Sequence, residues 1–214
     1  MPEPRTALLV GGSGLIGGFL LKRLLDSPAY ARVTVWARRP LELIHPKLAV
    51  EIVDFAKLDE RRVDAEDVFC CLGSTIKAAG SQDAFRRVDH DYPVALAKAA
   101  ARDGAKRMLV VSALGASPRS GVFYNRVKGE MEAAMRAAGV AQTSLFRPSL
   151  LSGPRKEERT GEKIGLVIGN LLGPLLCKYR PIHADLVAAA MQKVAEQDLP
   201  GRVYESSEIR ALAG

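Results

Sequence analysis

Across 214 residues the chain is 48% hydrophobic and 26% charged, enough to bury one sizeable core and too apolar for a chain that stays unfolded. Its 31 basic residues outnumber the 24 acidic ones, leaving a net charge of +7, and a field of that sign concentrates anions. The basic residues stand in scattered pairs (Arg38-Arg39, Arg61-Arg62, Arg86-Arg87) with no nucleic-acid-binding signature, so a phosphate-bearing small molecule is the expected partner and nucleic acid is not.

The first apolar run, Thr6–Val10, reads as a strand. It follows Met1-Pro2-Glu3-Pro4-Arg5 with no long apolar leader of the kind a secretory signal needs, and the expected location is the cytoplasm. A helix over Leu15–Asp26 places Leu20, Leu21, Leu24 and Leu25 on one face. Short β-branched runs at Val33–Trp36, Leu48–Val53, Asp67–Leu72, Arg107–Ser112 and Thr143–Phe146 read as buried strands. An Ala-rich helix ends at Arg102 before Asp103-Gly104, and a further helix spans Phe123–Ala138 before Gly139. Pro93 fits the Ala-rich helix if that helix starts near Asp91, with the carboxylate as cap and the proline in the first turn; a kink is the alternative.

After Phe146 the alternation loosens. Arg147–Thr160 reads as a loop, Pro181–Gln197 as a helix, Arg202–Glu205 as a last strand and the tail as a short helix. The apolar stretch from Ile164 to Cys177 is 14 residues long, short of the roughly 20 that span a bilayer, so no transmembrane segment is expected. Within it Gly165, Gly169 and Gly173 recur every four residues. Packing against the sheet is the plain reading of that glycine face; a homodimer contact or a membrane-surface attachment is the sharper one.

Helices alternating with strands predict an α/β fold, a doubly wound and mostly parallel sheet of the Rossmann kind. One domain covers 1–214, with a nucleotide-binding core at 1–146 and a small substrate-facing lid at 147–214, since ligands bind beyond the carboxyl ends of such strands.

The first strand runs into Gly11-Gly12-Ser13-Gly14-Leu15-Ile16-Gly17-Gly18 and then directly into a helix. Glycines there permit a tight turn, let a pyrophosphate touch main chain, and bring helix close to strand; the helix N-terminus holds the anion. Strand and helix on either side are the context such a motif requires. The second strand then decides the nucleotide. An NAD-binding chain carries Asp or Glu at its end for the ribose hydroxyls, whereas this one reads Trp36-Ala37-Arg38-Arg39. A guanidinium matches a 2′-phosphate, so NADP (NADPH) is expected ahead of NAD.

Tyr124 and Lys128 stand four apart on a predicted helix, hence one turn apart on one face. An isolated phenol has a pKa of about 10; a neighbouring ammonium favours its phenolate and eases proton exchange. Such a phenol gives a proton to a carbonyl oxygen while a nicotinamide delivers hydride to the carbon. Ser112, at the end of the fifth predicted strand, is placed to bond the same oxygen.

Val10–Gly18, Cys71-Leu72-Gly73-Ser74-Thr75, Ser112, Tyr124 with Lys128, and Phe146-Arg147-Pro148 together resemble the short-chain dehydrogenase/reductase superfamily in its atypical or extended branch. Trp36-Ala37-Arg38-Arg39, Arg87-Val88-Asp89 and Val127-Lys128-Gly129-Glu130 are most similar to the Tat-interacting oxidoreductase-like group. The resemblance covers nearly the whole chain. It implies a Rossmann fold, NADP(H) along the strand ends, and Ser112, Tyr124 and Lys128 as the catalytic trio. It further implies pyrophosphate contact from Gly11, Gly14, Leu15, Ile16 and Gly17, adenine contact from Asp54 and Phe55, and ribose contact from Leu72 and Gly73. Pro148, Leu150 and Leu151 would meet the nicotinamide, and Lys128 its ribose. Two positions depart from the family pattern: Val10 stands where a Thr is familiar, and Asp89 where many members have the Asn of a proton relay.

Elsewhere the chemistry is sparse. His45, His90 and His183 share no ligand spacing, and no metal is expected. Cys70 and Cys71 are adjacent and Cys177 distant, which excludes a disulfide framework and a zinc quartet and points to a reducing compartment; burial of the adjacent pair as small apolar residues is the ordinary account. The expected activity is NADP-dependent reduction of a small-molecule carbonyl, or oxidation of the corresponding alcohol. An NADP-binding regulatory module acting through protein partners is the rival. Sugar-nucleotide epimerisation uses the same groups but usually a larger region after residue 150.

Overall fold

The structure, a computed structural model, describes residues 3–153 and 180–214. The apolar stretch 164–177, with Gly165, Gly169, Gly173 and Cys177, lies outside the described residues, as does the expected loop beyond Gly153.

Along the chain, strand β1 (Arg5–Val10) leads into helix α1 (Leu15–Asp26), followed by β2 (Tyr30–Ala37), β3 (Leu48–Ile52), a 3₁₀ turn at Phe55–Glu60 and β4 (Asp67–Cys70). Short helices α2 (Ile76–Ala79) and α3 (Gln82–Arg86), a π-helical turn at Arg87–Asp91 and α4 (Tyr92–Arg102) precede β5 (Arg107–Val111). Then come α5 (Phe123–Ala137), β6 (Gln142–Arg147), the two-residue strands β7 (Leu151–Ser152) and β8 (Ile182–His183), α6 (Ala184–Glu196), β9 (Val203–Glu205) and α7 (Ser206–Ala213).

Seven strands form one sheet in the order β3-β2-β1-β4-β5-β6-β9, every neighbouring pair parallel. Chain growth reverses between β1 and β4, which places the switch-point crevice beyond Val10 and Cys70. Helices cover both faces, so the strands are apolar on both sides instead of alternating. Leu9, Val35, Phe69, Leu109 and Phe146 face the α1, α6 and α7 layer; Leu8, Val10, Val68, Val110 and Leu145 face α4, α5 and the 3₁₀ turn.

Four departures from the sequence expectation have physical causes. First, β4 stops at Cys70, because Cys71 to Thr75 leave the strand to form one wall of the crevice. Second, β2 starts at Tyr30, whose phenol donates to the fully buried Asp67 at 2.8 Å, beside Arg107 at 2.8 Å and Arg5 at 3.2 Å; this knot ties the amino ends of four strands opposite the crevice. Third, Asp91 does not cap α4. The chain is already helical there, and the wider π turn precedes Pro93, which needs no donor so early in its helix; the Asp91 carboxylate instead meets His90 at 2.7 Å. Fourth, α6 begins at Ala184, after Ile182 has paired with Leu151.

The C-terminal region contributes to the core and to the main sheet. Val187, Ala188, Met191 and Val194 of α6 are fully buried with Leu20, Leu21 and Leu24 of α1 in one core cluster, each large side chain contributing about 1.5–3 kcal/mol. Arg23 of α1 forks onto Asp185 of α6 with two 2.8 Å bonds, and β9 completes the main sheet.

Candidate active site

At the end of β1, Gly11 takes a φ of +92°, and a Cβ there would sit 2.7 Å from both the carbonyl carbon and oxygen of Cys71. A Cβ on Gly17 would lie 2.1 Å from the Gly11 oxygen. The turn is closed by the Gly14 N–H donating to the Gly11 carbonyl at 3.0 Å. Gly14 caps α1 with no side-chain hydrogen bond, and the first turn, opening with Leu15 and Ile16, holds no acid. Its first amide groups therefore meet no competing side chain, the arrangement that receives an anion.

Arg38 and Arg39 lie exposed in the bend after β2, and neither is held by a hydrogen bond or ion pair among the described residues. Asp54 is exposed and caps the 3₁₀ turn by accepting the Ala56 N–H at 2.9 Å. Phe55 is buried, edge-on to Tyr92 with ring centroids 5.8 Å apart. Across the crevice Leu72 is half-buried and Gly73 exposed.

Tyr124 and Lys128 share one face of α5, as their spacing requires. The Tyr124 ring rests on Phe85, centroids 5.3 Å apart, while the Lys128 ammonium, 3% exposed, meets Asp89 at 2.8 Å. Phe85 and Asp89 are themselves one turn apart, so α3 and the π turn offer two rungs to the two rungs of α5. Burial is the largest single influence and works against the Lys128 charge, but Asp89, Tyr124 and Cys70 together outweigh it, and the lysine pKa stands above its ordinary value.

Ser112 does not join them. Its hydroxyl is buried and donates to Glu132, two turns beyond Tyr124 on α5, at 2.5 Å. Glu132 also takes two bonds from Arg147, at 2.9 and 2.5 Å, and Arg147 reaches Glu205 at 3.1 Å. A serine hydroxyl has one proton to give, and here Glu132 has it. To bond a substrate oxygen, the part expected of it, the Ser112 hydroxyl would have to turn away from Glu132. Its network instead fastens β6 to α5 and β9 and sets the exit of the chain into Pro148, Leu150 and Leu151. The Pro148 carbonyl accepts the Leu114 N–H at 3.0 Å and the Leu150 carbonyl the Ile182 N–H at 2.9 Å.

A family model described as NAD(P)H-binding matches residues 11–170, from the first glycine of the turn to beyond Lys128. The chain belongs to the NAD(P)H-binding family. Among curated relatives it is 39% identical over 166 residues to the protein HTATIP2 of Rattus norvegicus, covering 75% of this chain and 68% of that one. It is 32% identical over 212 residues to the mitochondrial protein fmp52 of Aspergillus clavatus, covering 94% and 91%. Among solved structures, MoeE5 in complex with UDP-glucose and NAD aligns with a TM-score of 0.71 at 19% identity over 97% of this chain and 80% of that one. The oxidoreductase ylbE from Lactococcus lactis aligns at 0.68 and 17%, over 97% and 96%. These neighbours share the fold.

For an NAD(P)H-binding family member, the side chains that sequence reasoning missed are Ser74 and Glu132, together with the positive part played by Asp89. Asp89 carried a signal, being an acid one turn after the aromatic Phe85; Glu132 carried another, on the face of α5 that holds Tyr124 and Lys128. Neither names a partner without the fold. Burial pushes the Cys70 thiol up to about 11 and the Cys71 thiol well above its usual range, which suits small packed side chains. Among the described residues no three His, Cys, Asp or Glu gather as metal ligands, and no helix is long and apolar enough to cross a membrane.

Proposed function

We propose that this chain is an NADP(H)-dependent oxidoreductase acting on a small carbonyl or alcohol, with Tyr124 as the acid/base. The observation that carries the reading is the Tyr124–Lys128 face of α5, its ammonium paired with Asp89 beside Gly73, on the same Cys71–Gly73 wall that Gly11 of the glycine turn packs against. The residues fit such a nucleotide. A side chain at Gly11 or Gly17 would collide with backbone, α1 offers uncapped amides, and Arg38 and Arg39 are unengaged where a 2′-phosphate would fall.

When bound, the nucleotide supplies or accepts hydride. In reduction Tyr124 Oη gives its proton to the oxygen of the substrate as the carbonyl carbon gains hydride, and the phenolate regains a proton from solvent. Lys128 stays protonated throughout and binds ribose hydroxyls. Replacing Tyr124 by Phe should lower kcat by about 10²–10⁴-fold and leave NADPH affinity within a factor of about two. Steady-state assays across a carbonyl panel with parallel fluorescence titration decide it, and unchanged turnover in Y124F refutes the assignment.

One observation favours a second reading, an NADP(H)-binding regulatory module. The Ser112 hydroxyl is bonded to Glu132, which gives that serine a structural part whether or not Tyr124 acts. Under that reading Tyr124→Phe leaves function intact, and a protein partner is retained differently by the NADPH-loaded and NADP⁺-loaded chain. The cytoplasmic location expected from sequence belongs to the same proposal, and fractionation tests it against the mitochondrial naming of the fungal relatives.

A further inference from the structure

Asp89 is completely buried, yet the chemistry proposed above has no use for a second acid at that place. Its Oδ2 accepts both the backbone N–H and the hydroxyl of Ser74, each at 2.8 Å, and its Oδ1 meets Lys128 Nζ at 2.8 Å. One carboxylate therefore ties the wall of the crevice beyond β4 to helix α5. The π turn supplies the place for it. An extra residue in the turn re-aims side chains relative to an ordinary helix, and such turns gather at functional sites.

Gly73 lies directly over this ion pair. A Cβ built there would sit 3.4 Å from Asp89 Oδ1 and 3.8 Å from Lys128 Nζ, ordinary contact distances that demand no backbone shift. Nor does Gly73 take a positive φ. Its backbone would accept alanine, whose methyl group would rest against both charged groups and add to the cover over an ammonium that is already 3% exposed.

We propose that Asp89 is a positioning residue for the nucleotide, holding Lys128 as an ammonium beneath Gly73 so that its N–H groups meet ribose hydroxyls at the crevice. This rests on the NADP(H) reading above. The contact with Asp89 Oδ1 is an ion pair without hydrogen-bond geometry, and an ammonium has three donors to offer. The groups facing Lys128 are Asp89 from the π turn, Tyr124 from its own helix and Cys70 from β4. With the Asp89 charge removed, burial, already the largest single influence, meets less opposition and disfavours the ammonium.

NADPH titration by fluorescence between about pH 7 and pH 9.5 tests this on the wild type, Asp89→Asn, and the double variant Asp89→Asn with Lys128→Met. The expected wild-type affinity is flat across that range. The single variant should match it within a few-fold at the neutral end and weaken by about tenfold or more at the alkaline end, as Lys128 loses its proton. The double variant should bind weakly with no slope. A flat profile in Asp89→Asn, or a slope that survives without Lys128, overturns the proposal. Gly73→Ala is an independent check should Asp89→Asn fail to fold: it should melt as the wild type does but bind NADPH about tenfold more weakly, and unchanged affinity overturns the proposal as well. A wild type that binds neither NADPH nor NADH defeats the functional reading itself.

Discussion

Glu132 holds Ser112 by a hydrogen bond of 2.5 Å, and the same carboxylate is forked by Arg147. The serine that ends β5 is thus part of the frame around the crevice. Removing its hydroxyl leaves a buried carboxylate oxygen short of one donor, a loss of roughly 1–3 kcal/mol. Ser112→Ala should therefore lower the thermal midpoint while reducing kcat far less than Tyr124→Phe does. Calorimetry and steady-state kinetics on both variants check it; equal kinetic damage from the two would return Ser112 to the catalytic trio.

Arg38 and Arg39 should set the choice of nucleotide. Each guanidinium is exposed and unengaged, so replacing both by alanine should cost the fold little. A hydrogen bond to a charged phosphate contributes roughly 1.5–3 kcal/mol, which corresponds to about 10–150-fold in affinity. The double variant should lose that factor for NADPH and none for NADH. Dissociation constants for both nucleotides measure it, and parallel losses would show that the arginines do not read the 2′-phosphate.

Asp103 should make stability depend on acid. Its carboxylate is bonded by Arg102 and accepts the Val63 N–H at 2.7 Å, which lowers its pKa to about 2. A carboxylate with a folded pKa below its unfolded value of about 3.9 stabilises above that value, and the contribution fades as pH falls through the folded pKa. The melting difference between wild type and Asp103→Asn should be constant near neutrality and close between about pH 4 and pH 2. Thermal unfolding by circular dichroism across that range follows it; a difference that persists at the acid end would assign the effect to shape and not to charge.

Local pattern carried much of this architecture. The glycine turn between an apolar strand and an apolar helix face was legible because each glycine answers a backbone demand, and the structure returns the same turn with Gly11 at positive φ. Tyr124 and Lys128 were legible for a similar reason, since helical periodicity alone puts them on one face. Less legible was the end of β4, where Cys71 and Leu72 are as apolar as the strand before them yet leave it to line the crevice. The start of α4 was also obscured, because a π turn has no composition of its own and Asp91 looks like a cap.

The succession of strands and helices, the nucleotide turn and the spacing of the phenol and ammonium thus follow from residues close together in the chain, where backbone sterics and helical periodicity act over a few positions. Which polar groups meet inside the molecule does not. Asp89 with Ser74 and Lys128, and Ser112 with Glu132 and Arg147, are brought together by crossovers between distant segments. Only the folded sheet supplies the burial that makes each such charge require a partner, and for that reason the tertiary structure alone decided that the serine braces the site while the aspartate reaches its lysine.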